Sequence, residues 1–327
     1  MKTDTANKII EYIKEKKSVS AKDLAEYLEI SRQAMFRQLA RLLEGGKIYK
    51  IGKPPKVFYS LKEEKIKKIG DGIEINIGDS QIIENNFLII TPAGERKEGM
   101  DGFEYWCQRT GQPVSKTAKE YVKTFKKYDA FKEKGLISGI KKIKNTFPKV
   151  NLDNLFYLDF YSIERFGKTK LGQMLLYAKQ SQDKKLIKEL ILYVKPQIEH
   201  LVKKYKITSI GFIPPTVKRE VQFMKELEKK LNAAARKISI IKTKTEIAVP
   251  QKTLNKLEDR IENARETIIV DEKNAHKNIL LIDDAVGSGA TLNETAAKIK
   301  DKRICHGKII GLALTGSFKG FDVISEV

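Results

Sequence analysis

Cysteine and histidine are scarce in this sequence of 327 residues, which contains two cysteines and three histidines. Cys107 and Cys305 lie far apart in the chain. So few residues of these types exclude a disulfide framework and a zinc cluster built from histidine and cysteine. We expect both thiols to be free, as they are in a reducing compartment.

Long apolar runs are also missing, since none approaches the roughly 18 residues that a membrane-spanning helix needs. The N-terminal segment MKTDTANKIIEYIKEKK lacks the apolar core of a secretory signal and is typical of the start of a helix. We therefore expect a cytoplasmic protein with no membrane partner.

Acidic residues are too few to balance the basic ones. Lys and Arg total 63 against 42 Asp and Glu, which gives a formal net charge of +21 at pH 7. A charge of this size favours polyanionic partners, either nucleic acid or phosphorylated metabolites. The length predicts two or three folded domains.

The first 61 residues have the pattern of a small helical domain that ends in a β-hairpin. Ile9 and Ile13 recur at helical spacing, and a second helical stripe lies between Ser18 and Ile30. Ser31 is placed to cap a third helix, SRQAMFRQLARLL, which ends at a Gly-Gly pair. Two alternating runs, KIYKI and KVFYSL, flank a GKPP turn and predict the hairpin.

Three helices followed by a basic hairpin resemble a winged helix-turn-helix domain, and this resemblance implies DNA binding. In such domains the third helix contacts base edges in the major groove, and the wing brings lysines to the phosphates. A module for protein contacts or dimerisation is the alternative. Because winged helices commonly bind paired half-sites, a homodimer is a further expectation. The nucleic-acid candidates are Arg32, Gln33, Arg37 and Gln38 on the helix and Lys50, Lys53 and Lys56 around the wing.

Residues 62–150 are predicted to form a connector between this domain and a third region, 151–327. The pieces IEINIG and FLIITPAG predict a small sheet in it. Over 116–149 there are eleven lysines against three acidic residues, in a stretch of helical character. Both a solvated helix face and a nucleic-acid groove fit this pattern. The lysines that share one face of the predicted helix, opposite aromatic residues, are Lys116, Lys119, Lys123, Lys126 and Lys127.

The most informative segment is NILLIDDAVGSGATLNETAAKI, which begins at Asn278. An apolar run from Ile279 to Ile282 predicts a buried parallel strand, and Asp283 and Asp284 follow at its carboxyl end. The aspartates are suited to binding ribose hydroxyls or water on Mg²⁺. A glycine loop and a helix N-terminus come next, and their amides and hydroxyls are suited to a phosphate. The loop candidates are Val286, Gly287, Ser288, Gly289, Ala290 and Thr291.

A strand, an acidic pair and a Ser/Thr/Gly loop in this order resemble the type I phosphoribosyltransferases. The resemblance implies an α/β domain with a parallel sheet, phosphoribosyl pyrophosphate as substrate or ligand, and Mg²⁺ near Asp283 and Asp284. A Walker B strand would need a glycine-rich Walker A loop, but Ser162 stands where the first glycine should be. A receiver domain would need more chain than remains. A purely structural pair of buried aspartates would be costly without a cation.

A second segment, PQKTLNKLEDRIENARETIIV, resembles the Gln-Leu-Arg-Asn signature of the ComF-like group within this family. Gln251, Leu254, Arg260 and Asn263 stand at its positions. The resemblance implies that Arg260 closes over the pyrophosphate, which adds it to the aspartates as a catalytic candidate. The four-cysteine zinc module that often opens ComF-like proteins is missing here.

Upstream, ITSIGFIPPTVKRE resembles the first core strand and the loop that lies against the pyrophosphate. Cations in this loop would stabilise the charge of a leaving pyrophosphate, although capping of a surface helix also explains them. The candidates carried over to this loop are Pro215, Thr216, Lys218 and Arg219.

Three functions fit these features. The first is an enzyme that transfers a phosphoribosyl group to or from a nitrogenous base. The second is a regulator that senses phosphoribosyl pyrophosphate, since the domain order resembles the purine repressors of Gram-positive bacteria. The third is a nucleotide-targeting effector of a retron-like antiphage defence system. The cations Lys218, Arg219 and Arg260 favour retained chemistry, and no segment indicates the acceptor base.

Overall fold

The chain divides into two compact units, Met1–Ile73 and Glu74–Val327. The computed structural model describes residues 5–61, 75–215, 217, 219–231, 235–243, 247, 249 and 251–318, with the backbone alone for Lys53 and Lys252. Within these residues, no helix combines the length and the apolar character needed to cross a bilayer.

The first unit consists of three helices and a three-stranded antiparallel sheet in the order β1-β3-β2. Its elements are α1 (Thr5–Lys16), β1 (Val19–Ser20), α2 (Ala21–Tyr27), α3 (Arg32–Glu44), β2 (Ile48–Lys53) and β3 (Lys56–Leu61). Ser31 caps α3, because its hydroxyl accepts a hydrogen bond of 3.3 Å from the backbone N–H of Ala34. The hairpin closes at Pro54 and Pro55. The order of three helices and a wing that the sequence predicts is therefore confirmed.

One hydrophobic cluster holds the first unit together. Met35, Leu39 and Leu42 form the buried face of α3, and Ile9 and Ile13 contribute the buried face of α1. Burial of this apolar stripe leaves the opposite face of α3 exposed to solvent.

The second unit is built on an eight-stranded sheet in the order β13-β12-β11-β14-β15-β8-β7-β6. The five central strands, β12, β11, β14, β15 and β8, are parallel. At one edge β13 pairs antiparallel with β12, and at the other β7 pairs antiparallel with β8 and β6 antiparallel with β7. The two remaining strand pairs, β4–β5 and β9–β10, form small hairpins. The strands of this unit are β4 (Leu88–Ile90), β5 (Arg96–Glu98), β6 (Lys132–Glu133), β7 (Leu136–Ser138), β8 (Asn154–Phe160), β9 (Ser162–Ile163), β10 (Gly167–Lys168), β11 (Ser209–Phe212), β12 (Arg236–Lys242), β13 (Ile268–Asp271), β14 (Ile279–Val286) and β15 (Ile309–Gly316).

Helices cover both faces of this sheet. The helices are α4 (Ile77–Asn86), α5 (Gly99–Arg109), α6 (Val114–Asp129), α7 (Ile140–Thr146), α8 (Lys170–Ser181), α9 (Lys184–Lys204), α10 (Phe223–Lys230), α11 (Leu257–Thr267) and α12 (Ala290–Asp301). On β14, Leu281 packs in the layer that contains α4 to α7, α11 and α12, whereas Leu280 and Ile282 pack in the layer of α8 to α10. The result is the α/β domain with a mostly parallel sheet that the sequence predicts.

The described part of the predicted connector, 75–150, lies in the larger unit. The expectation of a strand in IEINIG is wrong in its described part, because Asn76 caps α4 there by accepting a hydrogen bond of 2.7 Å from the Gly78 amide. The FLIITPAG piece does form β4, which pairs with β5. Two short strands, β6 and β7, extend the main sheet beside β8, so this region is part of the sheet domain.

Leu281→Ala will destabilise the second unit by about 2–5 kcal/mol, because Leu281 is fully buried and its removal leaves a cavity. Urea denaturation followed by fluorescence measures this, since Trp106 is the single tryptophan of the chain and lies in the second unit. Ile241→Ala is the control, because Ile241 of β12 is 43% exposed, and it should cost less than about 1 kcal/mol. Equal losses in the two variants would show that the centre of the sheet is not close-packed.

Candidate functional site

The candidate site lies at the carboxyl ends of two adjacent parallel strands, β11 and β14. Phe212 of β11 is in register with Ile282 of β14, and the Ile213 amide donates a hydrogen bond of 2.8 Å to the carbonyl of Ile282. Asp283 and Asp284 follow Ile282 directly. The acidic pair and the loop after β11 therefore start at the same edge of the sheet, where ligands of open α/β sheets bind.

The two carboxylates are partly buried and differ in their surroundings. Asp284 forms an ion pair with Lys179 of α8 at 2.7 Å, and the two side chains are only 16% and 11% exposed. Asp283 accepts a hydrogen bond of 2.8 Å from the Asp284 amide. Burial and, second, the charge of Asp284 raise the pKa of Asp283 to about 8, against the opposing charges of Lys179 and Lys242. Asp283 is thus a carboxyl group that lacks full charge compensation in the protein alone.

Lys242, at the end of β12, is the second cation of this edge. Burial lowers its pKa, and the nearby charge of Asp283 opposes that effect. The ammonium group also donates a hydrogen bond of 3.5 Å to Oδ1 of Asn263. Sequence reasoning did not select Lys179 or Lys242, because their role depends on elements far from Asp283 in the chain.

The predicted phosphate loop follows β14 and ends at the N-terminus of α12. Gly289 is the N-cap of α12, with φ +87° and no side-chain hydrogen bond to the first amides of the helix. A side chain at this position would collide with Ile143 of α7, so only glycine fits. Ser288 accepts a hydrogen bond of 3.3 Å from the Ala290 amide. Thr291 lies partly exposed in the first turn, and Gly287 is likewise partly exposed. The loop therefore presents the positive end of a helix dipole beside the aspartates.

Residues of α7 and the residue after β15 contact the start of this loop. Val286 is buried, and its carbonyl accepts a hydrogen bond of 3.3 Å from the amide of Ser317, just after β15. Lys142 of α7 donates a hydrogen bond of 2.5 Å to Oγ of Ser317. The helical segment before the core strands thus helps to position the loop.

The loop after β11 contains the predicted pyrophosphate residues. Pro215 and Arg219 are partly exposed, whereas Thr216 and Lys218 lie outside the described residues. The amide of Val221 donates a hydrogen bond of 3.0 Å to the side chain of Gln182, which ties the end of the loop to the segment after α8. The assignment of this loop to a pyrophosphate stays a prediction.

The four signature residues before β13 lie close together. Gln251 donates hydrogen bonds to the carbonyl of Arg260 at 2.9 Å and to the side chain of Asn263 at 3.2 Å. Arg260 is buried and donates through Nε to the carbonyl of Leu254 at 2.8 Å. These bonds fold the segment from Gln251 back onto α11. Arg260 therefore has a structural contact in this structure, and its predicted closure over a pyrophosphate stays a prediction.

A small pocket lies at the same edge of the sheet, where the helical segment 75–150 meets the end of β8. Asp159 and Lys132 line it and form an ion pair at 3.0 Å, and burial raises the pKa of Asp159 above its ordinary value against the charge of Lys132. Asp159 of β8 is in register with Thr315 of β15, and Thr315 is in register with Ala285 of β14. Two strand spacings therefore separate the backbone of Asp159 from β14, which is about 10 Å. The aromatic residues that line the pocket are Phe87, Tyr121, Phe125, Phe166 and Tyr193.

The exposed face of α3 carries the nucleic-acid candidates in the first unit. Met35, Leu39 and Leu42 face the core, and this orientation turns the polar residues outward. Arg32, Gln33 and Arg37 are exposed and Gln38 is partly buried, while Lys50 and Lys56 of the wing are exposed and the side chain of Lys53 lies outside the described residues. Side chains of these types on an exposed helix suit contacts with base edges and phosphates.

Asp283→Asn will stabilise the ligand-free protein more at pH 8 than at pH 5. A raised folded-state pKa means that the folded protein holds a proton which the unfolded chain has lost, so stability falls as the pH rises from about 4 to about 8. Asparagine keeps the shape without the charge, and the gain at pH 8 should exceed about 1 kcal/mol. Urea unfolding in the presence of EDTA measures it, with Asp301→Asn at the exposed far end of α12 as the control. A variant no more stable than the wild type at pH 8 would show that Asp283 is charged and compensated.

Comparison with known proteins adds three findings. Among solved structures, the chain is similar to a hypoxanthine phosphoribosyltransferase from Staphylococcus aureus, with 13% identity and a TM-score of 0.24 over 42% of this chain and 78% of that chain. A search of curated proteins returned no match. Residues 5–57 match the family described as "HTH domain". The N-terminal unit therefore contains a helix-turn-helix domain.

Proposed function

We propose that the second unit binds phosphoribosyl pyrophosphate with Mg²⁺ and transfers the phosphoribosyl group to or from a nitrogenous base. The observation that carries the proposal is the pair Asp283 and Asp284 at the end of β14, followed by a glycine loop that ends at the N-terminus of α12. One ligand with a phosphate and neighbouring ribose hydroxyls would satisfy both features.

The loop and the aspartates bind different parts of the ligand in this proposal. The amides of 287–291 and the dipole of α12 hold the 5-phosphate. Asp283 and Asp284 accept hydrogen bonds from the ribose hydroxyls and orient the ring. When the bond from C1 of the ribose to the pyrophosphate oxygen breaks and a bond from C1 to the base nitrogen forms, the protein contributes position and charge, without a covalent nucleophile.

The donor set fits Mg²⁺. The groups that ligate this ion in proteins are one or two carboxylates together with substrate phosphates, and Asp283 supplies a partly buried carboxylate without full compensation. The described residues contain no cluster of three or more histidine, cysteine, aspartate or glutamate side chains that would hold a metal ion alone. Phosphate oxygens from the substrate would therefore complete the site. When bound, the ion neutralises charge on the leaving pyrophosphate.

The aromatic pocket beside Asp159 is the proposed place for the acceptor base. Phe125 and Tyr193 are the accessible rings of its lining, and Asp159 and Lys132 offer an acceptor and a donor for the polar edge of a base. Its position at the same edge of the sheet as Asp283 supports this proposal.

Two further functions share the same ligand site. A regulator would bind phosphoribosyl pyrophosphate and alter DNA binding without turnover, and the helix-turn-helix domain favours this second candidate. An effector in antiphage defence would act on nucleotides through the same residues. Release of pyrophosphate in the presence of a base distinguishes the transferase from the regulator.

Calorimetric titration of phosphoribosyl pyrophosphate with Mg²⁺ into the full chain tests the ligand site. We expect binding by the wild type and a loss of at least about 100-fold in Asp283→Asn, because charge-assisted contacts with the ribose and the cation are removed. The control Asp301→Asn should bind as the wild type does. Equal binding by all three proteins would exclude Asp283 from the site, and a folded wild type that does not bind would refute the proposal.

For the first unit we propose that α3 contacts bases of duplex DNA and that the wing contacts phosphates, with two copies on paired half-sites. A duplex selected by the full chain from a random pool provides the probe. Arg37→Ala should weaken its binding by at least about fivefold, because a contact between arginine and a base edge is lost. Lys50→Ala should reduce the slope of log affinity against log salt by about 1.

Lys8→Ala is the matched control for these variants, since Lys8 is exposed on α1, outside the proposed interface. It should leave both affinity and salt slope unchanged. If Lys8→Ala weakened binding as much as Arg37→Ala, the net charge of the unit would explain the affinity, and α3 would have no special role.

A further inference from the structure

A row of lysines runs along the exposed side of α6 in the second unit. The helix is anchored in the core by its other side, where Ala118, Tyr121 and Val122 are buried. Four lysines in the row are exposed and spaced by three or four residues, so they cover about 15 Å of one helix face. These residues, called the α6 lysine row below, are Lys116, Lys119, Lys123 and Lys126.

The acidic residues around this helix do not neutralise the row. Glu120 pairs with Arg165, Asp129 pairs with Lys132 at 3.6 Å, and Glu164 pairs with the neighbouring Lys127 at 3.0 Å. In the described part of the chain, the four lysines of the row have no ion-pair partner. The local acids are thus used by other cations, and the row remains positive.

This arrangement is unfavourable for α6 by itself. Like charges three or four residues apart on a helix repel each other. The first turn of α6 contains Lys116 and no acidic residue, although the positive end of the helix dipole favours an anion there. An external polyanion that lies along the row would relieve both effects.

Two exposed aromatic rings continue the row at the C-terminal end of α6. Phe131 and Phe318 are 49% and 36% exposed, and their ring centroids are 5.3 Å apart. Lys127 lies over the ring of Phe318, with its Nζ 5.8 Å from the centroid. Tyr128 of α6 packs against Phe318 at 4.8 Å and ties the pair to the helix. A basic row that ends in exposed rings is the combination that binds single-stranded nucleic acid, because phosphates contact the cations and bases stack on the rings.

We infer that the α6 lysine row together with Phe131 and Phe318 binds a single-stranded segment of DNA or RNA. Duplex DNA is the weaker fit, since its stacked bases offer no faces to the two rings. The site shares no residue with the proposed interface of α3 and the wing or with the proposed phosphoribosyl pyrophosphate site, so each of the three functions can fail without the others.

Fluorescence anisotropy with the full chain tests this inference, with a labelled oligothymidylate of about 20 nucleotides as the probe. The variant K116E/K119E/K123E/K126E should lose affinity by at least about 30-fold, and its salt slope should fall by about 3. The control K184E/K185E/K188E/K203E changes four exposed lysines of α9 and has the same net charge. It should lose less than about threefold.

A second variant separates stacking from charge. Phe131→Ala should weaken binding of the oligothymidylate by about fivefold or more and leave the salt slope unchanged, because base stacking and not a phosphate contact is removed. It should not change the affinity for duplex DNA, and Arg37→Ala should not change the affinity for oligothymidylate. If charge reversal prevents folding, as judged by Trp106 fluorescence, the four-fold Lys→Gln variant replaces it, with the same expected direction.

Two results would overturn the inference. Equal losses in the α6 and α9 variants would show a general effect of net charge, without a site. Unchanged oligothymidylate binding in Phe131→Ala, together with a loss of duplex binding in the α6 variant, would show that the row contacts duplex phosphates. In either case, retained binding of phosphoribosyl pyrophosphate by the α6 variant would show that the proposed function of the second unit still stands.

Discussion

The second unit has to accommodate two carboxylates at the end of a buried strand. Leu281 and Ile282 place β14 between two helical layers, so Asp283 and Asp284 begin in a region of low solvent access. Charge there is costly unless cations or donors lie close by. Lys179 supplies one such cation, but Asp283 keeps a raised pKa, which marks the place where the protein lacks a positive charge. A cation with a phosphorylated ligand is the partner that we propose for this place.

The helical segment before the core strands belongs to the same site. Ile143 of α7 limits Gly289 to glycine, and Lys142 holds the residue after β15. The aromatic pocket at Asp159 also forms between this segment and the sheet. The region that separates the helix-turn-helix domain from the core strands in the sequence therefore shapes the predicted phosphate loop and the proposed acceptor pocket.

Positively charged side chains are concentrated on a distinct surface in each of the two units. In the first unit, exposed arginine and lysine side chains occupy α3 and the wing. In the second unit, the α6 lysine row leads to Phe318, which directly follows Ser317, and the Ser317 amide binds the carbonyl of Val286 in the phosphate loop. The inferred nucleic-acid surface and the proposed ligand site thus meet at one edge of the sheet.

Local patterns were sufficient for the helix-turn-helix domain and for the order of strand, acidic pair, loop and α12, because periodicity, caps and glycines act over a few residues. The same patterns were wrong for the described part of IEINIG, where the cap at Asn76 starts a helix. The contacts of Lys179 and Lys242 with the acidic pair were decided by tertiary structure alone. They join residues from separate elements, some of them about 100 positions apart, and no local pattern in a single sequence records which side chains meet when β12, α8 and β14 come together.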